Sequence, residues 1–374
     1  MVQSYPILRL RRVGKKLECE LTNPTSMQMI GIDVKMPQGS EEVIYQQYAK
    51  ILRITSNDEA SNPKIFERQL KKLGSEIGKV LGQVLRRLAF EIKKECNLGL
   101  ALDDETVKIP WELGLLHKSL VGGKRAKFFC DVACIGRLRV VKNDFWKPSP
   151  KKEGPIRALV VGIDYKDYRR KGGRKLDPLE CAEEEAERVK TILENNDIHV
   201  KLLTGKNATF NSIIEELKRG VDIFHFTGHG GTSWNKSRIC LYDKDLWAED
   251  LEKLLANSPA PSLSFFNACE TSVDTHKIGK VKWAPYSFAF SLANQDGSVF
   301  IGTLWSVFER EATRFAGVFY QKFLGIRNNV LAEAMRLARN EVKKGKYAIL
   351  TWPAYILYGP PTLRRDDLFA KKGY

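Results

Sequence analysis

Two short stretches carry the residue types that covalent hydrolysis needs. They are Phe224-His225-Phe226-Thr227-Gly228-His229-Gly230-Gly231 and Phe265-Phe266-Asn267-Ala268-Cys269-Glu270-Thr271. Each is an apolar run that breaks abruptly into small or polar residues. A thiol is a strong nucleophile only as thiolate, and an imidazole beside it can take the thiol proton and later return one to a leaving amine. His229 and Cys269 are the candidate base and nucleophile. Gly230 and Gly231 leave the backbone uncovered, so the amides of Gly230 and Cys269 are the candidate oxyanion hole. One such donor lowers a barrier by about 3 kcal/mol. This set is the chemistry of a cysteine peptidase.

Other residues compete for these roles. His225 with His229 has an HxxxH spacing, but His225 falls inside the apolar run, where alternation is expected to point it differently from His229, and no carboxylate nearby completes a metal set. His225 is read as buried or as a support. His276, seven residues after Cys269 in a polar loop, is the main rival base. Cys130 and Cys134 lie in Phe128-Phe129-Cys130-Asp131-Val132-Ala133-Cys134-Ile135, which reads as a buried strand; a second ligand pair with zinc spacing does not accompany them. The pattern calls for neither a metal nor a cofactor.

The two stretches need a scaffold that brings them together. From Ile156 onward, apolar runs alternate with amphipathic segments. Strands are expected at Ile156–Ile163, His199–Leu203, Val221–Phe226, Leu263–Phe266, Ser298–Leu304 and Tyr355–Gly359. Helices are expected at Cys181–Leu193, Thr209–Lys218 (capped by Thr209), Trp283–Leu292, Phe315–Leu324 and Leu331–Val342. This alternation implies a parallel sheet with right-handed crossovers, and reactive groups then collect beyond the carboxyl ends of the strands. His229 and Cys269 each fall three residues past their runs, at that edge.

The first part of the chain reads differently. Ile7–Val13 and Leu17–Leu21 suggest paired strands around a turn at Gly14-Lys15-Lys16. Ile65–Ile92 has helical apolar spacing, with Gly74, Gly78 and Gly82 every four residues marking a face where another backbone packs closely. Shorter strands follow near Leu98–Leu102 and Phe128–Arg139, and His117 sits in a charged loop. The Pro- and charge-rich stretch Lys147–Pro155 marks a boundary. It divides residues 1–150, without catalytic candidates, from residues 151–374.

With 374 residues, 43% hydrophobic and 28% charged, the composition is that of an ordinary globular chain. No apolar run approaches the length that spans a bilayer, and the first residues lack a signal-peptide core, so a cytoplasmic location without membrane insertion is expected. Seven cysteines without regular spacing argue for free thiols in a reducing compartment. The net charge of +16 is dispersed, with small clusters at Lys151-Lys152 and Arg169-Arg170-Lys171. It reads as a solvated basic surface, with an acidic protein partner still possible.

The sequence resembles the CHAT proteases, caspase-like cysteine peptidases of the same clan as caspases and separase. The resemblance runs over residues 98 to 362 in ordered blocks. These are Ile109-Pro110-Trp111-Glu112-Leu113, the His229 and Cys269 motifs, Gly302–Val307 with Ala312-Thr313 and Phe319-Tyr320, Ala332-Glu333-Ala334, and Trp352–Gly359. The resemblance implies an α/β fold: a caspase-like, mostly parallel sheet flanked by helices, preceded by a smaller α+β, degenerate caspase-like domain. It makes the His before Gly in the first motif, His229, the catalytic base. Many members carry an acidic pair directly after the Trp-x-Val segment; here the stretch is Phe308-Glu309-Arg310-Glu311. Acidic residues near this point help form the pocket for the residue before the cut, which makes Glu309 the first candidate and Asp164 the second. Either would favour Lys or Arg.

What the resemblance implies functionally is limited proteolysis of a specific protein, in bacterial defence or programmed cell death. The substrate would be a protein partner, such as a pore-forming or regulatory protein encoded nearby, and the activator a protein or nucleic-acid complex. Two readings from other classes stand beside it: a catalytically inactive scaffold, and a basic nucleic-acid-associated module whose binding would fall steeply with salt.

Overall fold

The computed structural model describes residues 5–23, 28–36, 38–56, 62–88, 96–139, 154–166, 176–233, 236–270, 288–289, 291–292, 295–326 and 329–369. The Lys147–Lys152 portion of the boundary stretch, both basic clusters, His276 and most of the expected Trp283–Leu292 helix lie outside these residues.

The chain opens with a meander. β1 (Ile7–Val13) pairs antiparallel with β2 (Lys16–Asn23), and β2 with β3 (Gln28–Lys35). Val13 is opposite Lys16, which leaves a two-residue turn whose Gly14 has φ +59°, a conformation that glycine adopts without strain. Two helices follow, α1 (Ser40–Ser56) and α2 (Pro63–Arg87). α2 starts where the Asn62 side chain accepts the amides of Lys64 and Ile65, with Pro63 in its first turn. Its glycines do bring another backbone close: a Cβ at Gly74 or Gly78 would run into the carbonyls of Leu113 and Leu115 respectively, and one at Gly82 would only touch the Leu120 side chain.

β4 (Cys96–Leu102), a two-stranded ribbon of β5 (Leu115–Leu116) and β6 (Lys127–Phe128), the single turn α3 (Phe129–Val132) and β7 (Ala133–Arg139) come next. The expected single strand over Phe128–Arg139 is thus broken by α3, which withdraws Phe129 and Cys130 from the sheet. The alternating region supplies β8 (Arg157–Gly162), α4 (Ala182–Glu194), β9 (His199–Thr204), α5 (Phe210–Lys218), β10 (Ile223–Ser233), β11 (Lys236–Cys240), β12 (Asp245–Trp247), α6 (Ala248–Leu255), β13 (Leu263–Glu270), β14 (Val299–Thr303), α7 (Glu309–Gly325), α8 (Leu331–Val342) and β15 (Tyr355–Tyr358). Thr209 caps α5 as expected, its hydroxyl accepting the Ser212 amide.

One sheet of 13 strands runs through both parts in the order β12-β11-β10-β13-β14-β15-β7-β4-β1-β2-β3, with β8 and β9 beside the first half of β10. The core pairs β9–β8–β10–β13–β14 are parallel, and β15 is antiparallel to β14. The fold class read from the sequence, a mostly parallel α/β sheet flanked by helices, is what the chain forms. β8 is buried along five of its six residues, as a strand covered on both faces must be.

A buried ion pair pins the seam between the parts. β7 meets β15 where Arg137 registers with Tyr358. The Arg137 guanidinium bonds both oxygens of Glu112, at 2.6 and 2.7 Å, and also donates to the carbonyls of Val107 and Ile109 and to the Tyr358 hydroxyl. α1 and α2 close the same seam from outside. Tyr48 donates to the Leu304 carbonyl at 2.6 Å, and Phe66 packs edge-on against Trp305 with centroids 5.6 Å apart.

Candidate active site

β10 and β13 are adjacent parallel strands, and their register sets His229 directly opposite Cys269. Neighbouring strands lie about 4.8 Å apart, so the two backbones are as close as a sheet allows. The expectation that these residues lie past their strands is corrected. β10 runs on to Ser233 and β13 to Glu270, so both residues are inside the ladder. The extension exists because β8 ends at Gly162 and β11 then takes its place beside β10, pairing Gly230 with Ile239. Gly230 is also opposite Glu270 of β13. The candidate oxyanion amide therefore sits between two strands rather than in an open glycine turn.

His229 is held on three sides. Its Nε2–H donates to the carbonyl of Asp177 at 2.7 Å. A carbonyl only accepts, so the neutral ring carries its proton on Nε2 and leaves Nδ1 as the basic nitrogen. Its backbone amide donates to the Tyr165 hydroxyl at 3.0 Å, which in turn donates to the Cys240 carbonyl at 2.6 Å. The Tyr165 ring lies 4.7 Å from the imidazole, centroid to centroid. Burial lowers the His229 pKa, and the Asp177 bond opposes that shift. The ring therefore stays neutral, as a base must, to lower pH than an ordinary histidine.

Tyr165 was not legible as a functional residue. It follows the β8 exit and adopts φ +58°, a left-handed conformation that costs a non-glycine residue about 1–2 kcal/mol. Gly228 makes room for it, since a Cβ there would approach the Tyr165 hydroxyl oxygen at 2.8 Å.

A second polar cluster lies beneath the pair, fully buried. Glu185 of α4 accepts from Asn267 at 2.6 Å, bonds His225 Nε2 at 3.1 Å and accepts from the Thr313 hydroxyl at 3.2 Å. Asn267 accepts from the Tyr355 hydroxyl at 2.7 Å, and the Tyr320 hydroxyl lies 3.4 Å from His225 Nδ1. His225 is inaccessible to solvent. Alternation does not separate it from His229, contrary to expectation: the two are four residues apart in one continuous strand, an even spacing that returns to the same face. What separates them is depth, His225 lying under α4 and α7. The cluster ties β10, β13, α4, α7 and β15 together two residues before Cys269 and four before His229.

The two acidic candidates flank the Asp177 segment. The backbone carbonyl of Asp164 accepts the Leu179 amide at 2.7 Å, while its carboxylate pairs with the Lys166 ammonium at 3.3 Å. Glu309, the first residue of α7, accepts the Cys181 amide at 2.9 Å. Burial raises the Glu309 pKa, and the amides of Cys181 and Glu180 pull it back. Cys130, Cys134 and Cys19 are buried thiols with pKa values pushed up to about 12, unlike a nucleophile's. Among the described residues, no group of three His, Cys, Asp or Glu side chains could hold a metal ion, and no helix is long and apolar enough to cross a membrane. His117 is exposed and bonds Ser119.

Solved structures share this architecture. The separase of Saccharomyces cerevisiae, solved with securin, superposes with a TM-score of 0.56 at 10% identity. That match covers 95% of this chain and 30% of the separase chain. The Arg-specific cysteine proteinase gingipain R superposes with a TM-score of 0.51 at 13% identity, covering 77% of this chain and 68% of that one. These likenesses establish the caspase-like fold. No curated protein matches the sequence. The model of the CHAT domain matches residues 71–360, a span reaching from α2 through both candidate strands to Pro360 just past β15. Since that match takes in well over half of the chain, and the fold is the caspase-like one, this chain belongs to the CHAT domain family.

Proposed function

We propose that the protein is a cysteine endopeptidase in which Cys269 is the nucleophile and His229 the general base. The observation that carries this reading is the register of β10 and β13, which sets the two residues opposite each other, with the Asp177 carbonyl orienting the imidazole. The thiol proton passes to His229 Nδ1 as sulfur attacks the scissile carbonyl. The same proton then goes to the leaving amine, and a water deprotonated by His229 hydrolyses the thioester. The oxyanion donors offered by the sequence, the amides of Gly230 and Cys269, lie in the β10–β13 ladder beside the pair.

Specificity for Lys or Arg before the cut follows from Asp164 in this reading. Its carboxylate already binds one ammonium, that of Lys166, whose side chain is mostly exposed and displaceable. Glu309 is the other acid offered by the sequence. The biological setting is limited cleavage of one protein partner, in defence or cell death, under the control of an activating protein or nucleic-acid complex in the cytoplasm. Residues 1–150 form the regulatory or pseudo-protease part and residues 151–374 the protease part.

Hydrolysis of fluorogenic peptides ending in Arg, Lys, Asp or Leu tests this, with Cys269→Ala as control. Cleavage after Arg or Lys that disappears in the variant supports the reading. Cleavage that survives in Cys269→Ala contradicts it, and no cleavage of any peptide or candidate protein favours an inactive scaffold.

A further inference from the structure

The Asp177 carbonyl that orients His229 comes from a weakly packed segment. Asp177, Pro178 and Glu180 are all exposed, yet the atom they deliver must sit 2.7 Å from a buried imidazole. Of its side chains only Leu176 and Leu179 pack, in part, against the core, and two backbone tethers fix the position of the carbonyl. One is the Leu179 amide on the Asp164 carbonyl, 2.7 Å. The other is the Cys181 amide on the Glu309 carboxylate, 2.9 Å. Cys181 is the N-cap of α4, where a thiol stands in place of the Ser, Thr, Asp or Asn that usually accepts a first-turn amide. Glu309, from another helix, accepts the amide of the N-cap residue itself, as the acid of a capping box would, and the positive end of α4 favours its charge.

We propose that Glu309 is a positioning residue for His229, acting through the Asp177–Cys181 strap, and that it does not contact the substrate. This rests on the peptidase reading only for its kinetic arm. The assignment departs from the specificity role the sequence suggests. The Glu309 oxygen that accepts the Cys181 amide is committed to the protein, whereas a pocket acid must offer its oxygens to an incoming cation. The strap also joins the two functional frames: Glu309 holds its end at Cys181, and the Cys181 carbonyl accepts the amide of Glu185, the centre of the buried cluster under β10 and β13.

The test uses the full chain and two variants, Glu309→Ala and Glu309→Gln. The first readout needs no substrate: the ring N–H signal of His229 in selectively nitrogen-15-labelled protein. Wild type should show a protected Nε2–H; Glu309→Ala should lose it to exchange, and Glu309→Gln, which keeps one acceptor, should retain it. The second readout is kinetic. In Glu309→Ala, kcat should fall about 10- to 100-fold, as expected for a displaced catalytic group, with KM for Arg and Lys peptides within about twofold of wild type and partial recovery in Glu309→Gln. A Glu309→Ala protein that keeps the Nε2–H signal and kcat, but raises KM selectively for Arg and Lys peptides, overturns the proposal and makes Glu309 a pocket residue. If wild type cleaves nothing, the peptidase reading fails while the ring signal still decides this one.

Discussion

Tyr165 and His229 meet in two ways at once: their rings lie 4.7 Å apart, and the Tyr165 hydroxyl accepts the His229 amide while donating to the Cys240 carbonyl. One phenol thus links the β8 exit, β10 and the end of β11. Tyr165→Phe keeps the ring and removes the bridge, leaving two buried backbone groups without this partner. Loss of such a bridge costs about 1–3 kcal/mol. Chemical denaturation should show a loss in that range, and peptide hydrolysis should drop through kcat. Unchanged stability and rate would remove Tyr165 from the account. Gly228→Ala should reproduce the rate loss by pushing the hydroxyl away from a new Cβ.

The seam between the two parts should be sensitive at Glu112. Its bidentate partner Arg137 is buried and is also surrounded by the Val107 and Ile109 carbonyls and the Tyr358 hydroxyl. Removing the carboxylate leaves a buried, uncompensated cation, which costs about 3–5 kcal/mol. Glu112→Ala should therefore unfold at markedly lower denaturant than wild type, with Glu112→Gln intermediate. A denaturation midpoint equal to wild type would show that the pair does not hold the seam.

Much of this was legible from residue patterns, for identifiable reasons. The strands β8, β10 and β13 announce themselves because both faces are buried, giving continuous apolar runs. The Gly74 and Gly78 spacing pointed to close packing because only glycine admits the 113–115 backbone. The Pro-Trp-Glu-Leu block was recognisable as a pattern, yet its role was not, since Arg137 lies 25 residues from Glu112 and a long-range ion pair leaves no periodic trace. The same holds for Tyr165 and Glu185, whose partners are 64 and 82 residues away in the bonds to His229 and Asn267. The lengths of β10 and β13 were underestimated because their last residues are glycines and polar groups, which read as loop locally; pairing with β11 overrides that propensity.

The buried cluster predicts a division of labour between the two histidines. His225→Ala should lower stability, since it strands Glu185 without one of its partners, while His229→Ala should abolish turnover with little change in stability. Leaving a buried hydrogen-bonding group without its partner costs about 1–3 kcal/mol. Denaturation and turnover measured on both variants check this. Near-normal folding with lost turnover in His225→Ala would instead give it a direct role in catalysis.

The pH dependence carries a sign. Burial lowers the His229 pKa, so its neutral, proton-accepting form persists below the usual value of about 6.5. The rise of kcat/KM with pH should have its midpoint below that value. Linkage runs the same way: the unfolded chain takes up this proton near 6.5 and the folded chain resists it. Stability from this group is therefore complete above that pH and is lost as pH falls through the lowered value. A midpoint at or above 6.5 would contradict the burial argument.

Covalent capture tests the pairing of Cys269 with His229 most directly. A peptidyl acyloxymethyl ketone ending in Arg or Lys should modify the full-length protein at one cysteine, located by mass spectrometry after digestion. The adduct is expected on Cys269, absent in Cys269→Ala and strongly slowed in His229→Ala. An adduct on another cysteine, or labelling of Cys269 at an undiminished rate in His229→Ala, would contradict that pairing.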